Sequence, residues 1–193
     1  FVKTFSITFR QVLFFIIPLS IFILVLRAQI VRVVLGSGKF DWEDTILTFQ
    51  TLGIFVLSLF AQGTIPLLAR TFYALHDTKT PFYIALFTEL VNISAVLLLI
   101  GKYKIMGLAI AFSLAAVVQM FLLLFVLRTR FECLDDKNII RFIVKIVLAS
   151  LVAGLSIQLS KYLVEPLVNL DTFIGIFFQL ASSALIGLII FVG

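Results

Sequence analysis

Residues 70–83 read RTFYALHDTKTPFY, which places the chain's single histidine and a tight run of polar and charged groups between two strongly apolar stretches. What the segment is depends on those flanks. Residues 45–75 are apolar apart from hydroxyls, amides and Arg70, and residues 82–100 are apolar apart from Glu89, Asn92 and a few hydroxyls. A helix of about 20 apolar residues crosses the hydrocarbon core of a bilayer. Lipid cannot hydrogen-bond irregular backbone, so helices are the only reasonable form for such stretches. The segment therefore reads as a polar turn between two membrane-crossing helices.

Composition extends this reading to the whole chain. Of its 193 residues, 62% are hydrophobic and 13% charged, with a mean hydropathy of +1.22. A soluble domain carries about 25% charged residues, so this chain lacks the polar surface to cover itself and reads as an all-α polytopic membrane protein. The lone Cys133 excludes an internal disulfide and a cysteine-based metal cluster. The basic excess, 15 Lys and Arg against 10 Asp and Glu, fits loop charge at a membrane surface, and no clustered basic face suggests nucleic acid. The start at Phe1 and the apolar run ending at Gly193 make the chain read as a fragment, and no signal peptide is recognisable.

Six spans are expected, at about 12–35, 45–75, 82–100, 106–127, 139–163 and 172–193, joined by short polar links that make neighbours antiparallel. With the N-terminal end inside, Lys3, Arg10, Arg70, Lys79, Arg128, Arg130, Lys137, Arg141 and Lys145 collect inside. Arg27, Arg32, Lys39, Lys102, Lys104 and Lys161 stay outside. Nine against six favours that orientation under the positive-inside rule and puts loop 76–81 in the cytoplasm.

The second span is long: about 46 Å at 1.5 Å per residue, against a core of about 30 Å. Gly63 and Pro66 offer a bend, because proline removes a backbone hydrogen bond. Pro81 opens the third span where its missing N–H costs nothing, and Asp77 and Thr78 stand where they can cap it. Gly63, Pro66 and Pro81 are thus the expected hinge positions.

Glu89 falls near mid-membrane, where a charge costs on the order of 3 kcal/mol on insertion scales. It should be protonated, paired or facing water. Ala85, Glu89 and Asn92 share a helical face with Thr88 beside them. That stripe either lines an aqueous cavity or moving interface, or makes static hydrogen bonds between helices. Small residues recur every fourth position in later spans: Gly107, Ala111, Ala115 and Gln119; Lys145, Ala149, Ala153 and then Ser156; Gly175, Gln179, Ser183 and Gly187. Such ridges let helix backbones approach closely. Lys145 is expected to snorkel to the surface, with a cavity role as the alternative.

Several signatures fail. GSGK at 36–39 lacks the first glycine and the final Ser or Thr of a phosphate loop, with Val33 and Phe40 in those places. Asp44 suits a cap on the second span, with Asp41 and Glu43 solvated before it. Asp135 and Asp136 invite a prenyl-diphosphate reading but lack a second acidic pair, and they suit the start of the fifth helix. The sequon at Asn92 and Ser94 is buried in a span. His76 has no companion for a metal and reads as a loop residue.

Residues 33–130 resemble the MurJ (MviN) family of lipid II flippases, within the multidrug/oligosaccharidyl-lipid/polysaccharide exporter superfamily. ARTFYALHDTKTP at 69–81 is similar to the family's basic residue, Phe-Tyr-Ala, variable pair and Asp-Thr-x-Thr-Pro. VVLGSGKFDWEDT at 33–45, Asn92 and GLAIAFSLAA at 107–116 also fit. The resemblance implies a fourteen-helix exporter of two lobes around a cavity, with this chain as its ninth to fourteenth helices. Residues 1–130 would be C-terminal lobe helices, and 131–193 two appended helices that form a groove for the lipid tail. It implies transport by alternating access of lipid II, an undecaprenyl-diphosphate-linked peptidoglycan precursor, across a bacterial cytoplasmic membrane. Membrane lipids and cell-wall synthesis proteins would be the partners, and no cofactor is implied. The family's cavity arginines would precede Phe1. Pro66 stands where some members carry a basic residue, a departure from the pattern. Cavity or gate candidates here are Glu89, Asn92, Thr88, Arg70, Asp77 and Lys79.

Three other functions compete. One is export of another polyprenyl-diphosphate-linked oligosaccharide. A membrane transferase would need paired carboxylates at a membrane face. A scaffold for wall-synthesis partners would have no use for a buried glutamate.

Overall fold

The structure is a computed structural model that describes residues 2–35, 42–131, 136–165 and 172–192. GSGKFD at 36–41, Cys133 and Asp135 lie outside the described residues. Among the described residues seven helices follow one another: α1 (Val2–Leu35), α2 (Trp42–Leu57), α3 (Leu59–Ala74), α4 (Lys79–Tyr103), α5 (Ile105–Arg130), α6 (Asp136–Val164) and α7 (Phe173–Val192). Five of them are individually long and apolar enough to cross a membrane, and α2 with α3, bent by 42° at their break, makes a sixth when the pair is counted as one span. With the bent pair counted as one, the six expected spans are present; α1, α4, α5 and α6 run past their expected bounds, while α3 stops at Ala74 and α7 keeps within its own.

The first span begins at Val2, about ten residues earlier than expected, because Phe5, Phe9 and Leu13 have something to pack on. They join Leu68 and Phe72 of α3 and Leu123 and Leu127 of α5 in one buried cluster. α1 is also the common support of the bundle, touching α2, α3, α6 and α7.

The bend of the second span is not at Gly63 or Pro66, both of which lie within α3; it falls at Ser58. Gly63 serves packing instead. A Cβ there would come within 2.0 Å of Ile16 Cδ1, so its bare backbone is what lets α1 and α3 approach. At the break, the Ser58 N–H donates to the Phe55 carbonyl three residues back, at 3.1 Å. The Ile54 carbonyl accepts from the Ser113 hydroxyl of α5 at 3.2 Å. Pro66 deletes one donor, but the helix runs through it.

No break in the chain falls at Pro81 either. It is buried in the first turn of α4, where N–H groups have no intrahelical partner in any case. The chain reverses earlier. Asp77 donates its N–H to Phe72 O and His76 donates its own to Tyr73 O, each at 3.0 Å, the paired bonds of a Schellman helix ending. His76 takes the left-handed residue of that ending, at φ 57°.

The expected four-residue GKYK link shrinks to Lys104 alone. At Gly107 a Cβ would lie 2.7 Å from the Leu99 carbonyl oxygen, so the α4–α5 crossing is very close. At the other end of the sequence, Gly175, Gln179, Ser183 and Gly187 of α7 are all buried, as their spacing predicts. Ser183 pairs with Ser160 of α6 at 3.3 Å. On α6 the expected line is displaced. Lys145 and Ala149 are exposed, while Ile146, Ser150, Ala153, Ile157 and Ser160 are buried. α6 serves two neighbours, α1 and α7, and its inward face lies between the two directions. Asp44 does not cap α2, which begins at Trp42; with Glu43 it stands in the first turn, where a negative charge suits the helix dipole.

Candidate functional site

α4 carries its polar residues where α3 and α5 leave room for them. Thr88, Glu89 and Asn92 come from one face of α4, Gln62 and Pro66 from α3, and Gln119 from α5; together they line a cleft of about 220 Å³. Two alanines, Ala115 and Ala116, floor it on α5 and keep its walls apart. Periodicity explains the α4 contribution: residues three and four apart on a helix are neighbours.

Glu89 is exposed at the rim of the cleft and not buried as expected, because α4 packs on its neighbours through another face; there the Asn92 Nδ2 donates to Glu89 Oε1 at 3.3 Å. The Asn92 Oδ1 is buried and has no partner. Thr88 spends its hydroxyl on the Ile84 and Ala85 carbonyls, both at 3.0 Å. The Gln62 Nε2 donates to Ser58 Oγ at 2.8 Å, tying the cleft to the bend. A carboxylate and several amides can hold a polar group inside the membrane by hydrogen bonding. Nothing among them is arranged as a nucleophile with a base.

The turn between α3 and α4 forms a second polar group. Asp77 Oδ1 accepts from the backbone N–H groups of Lys79 at 3.1 Å and Thr80 at 3.0 Å, and Oδ2 accepts from the Thr80 hydroxyl at 2.6 Å. Asp77 is therefore the cap of α4; Thr78 makes no side-chain cap bond. Arg130, at the end of α5, ion-pairs with Asp77 Oδ2, donates to Thr80 Oγ1 at 3.2 Å and lies over the Phe72 ring at 5.7 Å. The Thr80 hydroxyl and N–H hold the Asp77 carboxyl down to about 2, with a smaller contribution from Arg130, against an opposing effect of desolvation that is larger than the Arg130 charge alone.

Of the six residues expected at a cavity or gate, Thr88, Glu89 and Asn92 meet in the cleft. Asp77 meets the Lys79 backbone in the turn, while the Lys79 side chain is exposed. Arg70 is exposed on α3 and lines neither place. Sequence reading missed Gln62, Ser58, Ser113 and Arg130. Only Arg130 left a signal, as a charge at the same end of the bundle as Asp77. Among the described residues no three His, Cys, Asp or Glu side chains gather as a metal-ligand set.

Apolar helices of membrane-crossing length, with a hydrogen-bonding cleft open on one face, define a multi-pass membrane protein. The chain belongs to the lipid II flippase MurJ family, whose model matches residues 1–178; that family is one of membrane transporters, not enzymes. The probable lipid II flippase MurJ of Rickettsia prowazekii is 32% identical over 92% of this chain and 35% of its own length. That of Thermotoga maritima is 32% identical over 77% of this chain and 30% of its own. A solved structure described as lipid II flippase MurJ in an inward closed conformation matches with a TM-score of 0.81 and 27% identity, over 97% of this chain and 37% of the other. The chain thus spans about a third of the length of these relatives.

Proposed function

We propose that this chain is the C-terminal part of a flippase that moves lipid II across a bacterial cytoplasmic membrane by alternating access. Residues 1–130 act as lobe helices and residues 131–193 as the two appended helices. The observation that carries the reading is the polar cleft within the membrane-spanning bundle of a chain in this family. Glu89, Asn92, Gln62 and Gln119 give a polar head group hydrogen-bonding partners where lipid tails give none. In this reading the appended pair, α6 and α7, packs on itself and docks on the lobe through α1. Loop 76–81 faces the cytoplasm in this reading, as the basic residues at that end favour.

The test is reconstitution of the full-length protein carrying this segment into vesicles loaded with labelled lipid II on one leaflet. Protein-dependent appearance of lipid II in the opposite leaflet is expected. Translocation no faster than in protein-free vesicles, with correctly inserted protein, overturns the proposal.

A further inference from the structure

The break at Ser58 has an unusual hydrogen-bond economy. Ending a helix inside a membrane normally strands backbone groups, each costly without water. Here side chains take over. The Ser58 hydroxyl contacts Phe55 O at 3.0 Å and Ser113 Oγ at 3.0 Å, and accepts from Gln62 Nε2 at 2.8 Å. Ser113 also reaches the Ile54 carbonyl at 3.2 Å. In a straight helix that carbonyl would receive the Ser58 N–H, which here turns to Phe55. Two arrangements of the same groups are therefore available: bent, with Ser113 on Ile54, or straight, with Ser58 N–H on Ile54. Neither leaves the Ile54 carbonyl unpaired. Such an element changes state at small net cost, which is what a conformational switch requires.

Gln62 joins this element to the cleft. Its side chain lines the same space as Glu89, Asn92 and Gln119, and one of its two amide N–H groups is donated to Ser58 Oγ. We propose that Gln62 is a positioning residue that couples occupancy of the cleft to the bend between α2 and α3. A hydrogen-bond acceptor on the carried head group, such as a carbonyl or phosphate oxygen, draws the Gln62 amide from Ser58 and shifts the span toward the straight state. The inference rests on the flippase reading above. The lever is long: α2 has 16 residues, about 24 Å at 1.5 Å per residue, so even partial relief of the 42° bend moves its far end by several ångströms.

The test uses the full-length protein in a cysteine-free background, spin-labelled at Glu43 and Tyr103, both exposed, with distances measured by pulsed electron resonance. Lipid II is the probe, and its binding is measured on the same samples. The expected result is a shift of several ångströms on lipid II binding in the wild type. In Gln62→Leu that shift should be reduced at least threefold while lipid II still binds. Ser113→Ala should move the unliganded distribution toward the straight state, and Ser113→Thr, which keeps the hydroxyl, should restore it. A Gln62→Leu protein that binds lipid II and shifts as the wild type does overturns the coupling alone. An unchanged distribution in Ser113→Ala overturns the two-state joint. Failure of the wild type to bind lipid II removes the flippase reading and this inference with it.

Discussion

Asp77 and Arg130 are 53 positions apart in sequence and form an ion pair, with the Arg130 side chain 42% exposed and that of Asp77 15%. The pair closes the α3–α4 turn onto the end of α5. Its geometry also assigns the work: Asp77 is first a helix cap, because its contacts to Thr80 outweigh the charge of Arg130 in depressing its acidity. A carboxylate depressed in the folded state contributes stability above its unfolded value and loses it as pH falls through the folded one. For Asp77 that window runs from 3.8 down to about 2. Thermal unfolding of the purified full-length protein should therefore show a wild-type advantage over Asp77→Asn at pH 5 that narrows between about pH 4 and 2. A gap that stays constant across that window rules out the carboxylate as its source. Arg130→Gln should cost less than Asp77→Asn, since Arg130 is well exposed and surface ion pairs contribute little.

His76 occupies a left-handed position, φ 57°, that a residue with a Cβ reaches at a cost of roughly 1–2 kcal/mol. His76→Gly should raise the thermal midpoint by the equivalent of about 1 kcal/mol, and His76→Val should lower it. A glycine variant no more stable than wild type would mean the αL ending is not what fixes this residue's backbone.

The number of apolar spans, their antiparallel order and the spacing of the α4 polar stripe were legible in the sequence because each depends on local pattern: run length, link length and helical spacing; the division of the second span into two helices was not. The turn at 76–81 was legible for the same reason, through Asp77 and Pro81. What escaped depends on contacts between helices. Proline and glycine drew attention to positions 66 and 63, while the bend arises where Ser113, 55 residues away from Ser58, supplies a replacement donor. No periodicity announces that. Arg130 was countable as a charge, but its pairing with Asp77 requires knowing that α4 starts beside the end of α5. The displaced face of α6 has the same origin, since one helix with two partners does not present the face its small residues alone suggest.

Glu89 tests the cleft. Replacing it by leucine removes the acceptor for Asn92 and, among the described residues, the only carboxylate lining the space. Hydrophobicity rises, so insertion should be unaffected or improved. Lipid II translocation by the full-length Glu89→Leu protein should fall about tenfold or more, the equivalent of one hydrogen bond to a charged group. Normal complementation of a flippase-depleted strain at wild-type protein levels would sink the cleft as a transport element.

Close helix contacts give a graded test of packing. At Gly107 an added Cβ meets backbone, the Leu99 carbonyl oxygen at 2.7 Å, whereas at Gly63 it meets the tip of Ile16 at 2.0 Å. A side-chain tip rotates away; a helix backbone moves only with its helix. Gly107→Ala should therefore cost about 1–3 kcal/mol, as overpacking does, and more than Gly63→Ala despite the shorter distance at Gly63. Thermal midpoints in the opposite order would show that the α4–α5 crossing opens easily.

Orientation can be decided at the turn itself. With six spans and alternating direction, the ends of α3 and α5 and the starts of α4 and α6 lie on one side, together with Arg128, Arg130, Arg141 and Lys79. That concentration of positive charge favours the cytoplasmic side. Thr78 is exposed in the turn and takes no part in the Asp77 cap through its side chain, so Thr78→Cys leaves the turn's hydrogen bonds intact. A membrane-impermeant thiol reagent should leave this cysteine unlabelled in intact cells and label it once the membrane is opened. Ready labelling in intact cells would invert the topology of all six spans, because each short link fixes the direction of the next.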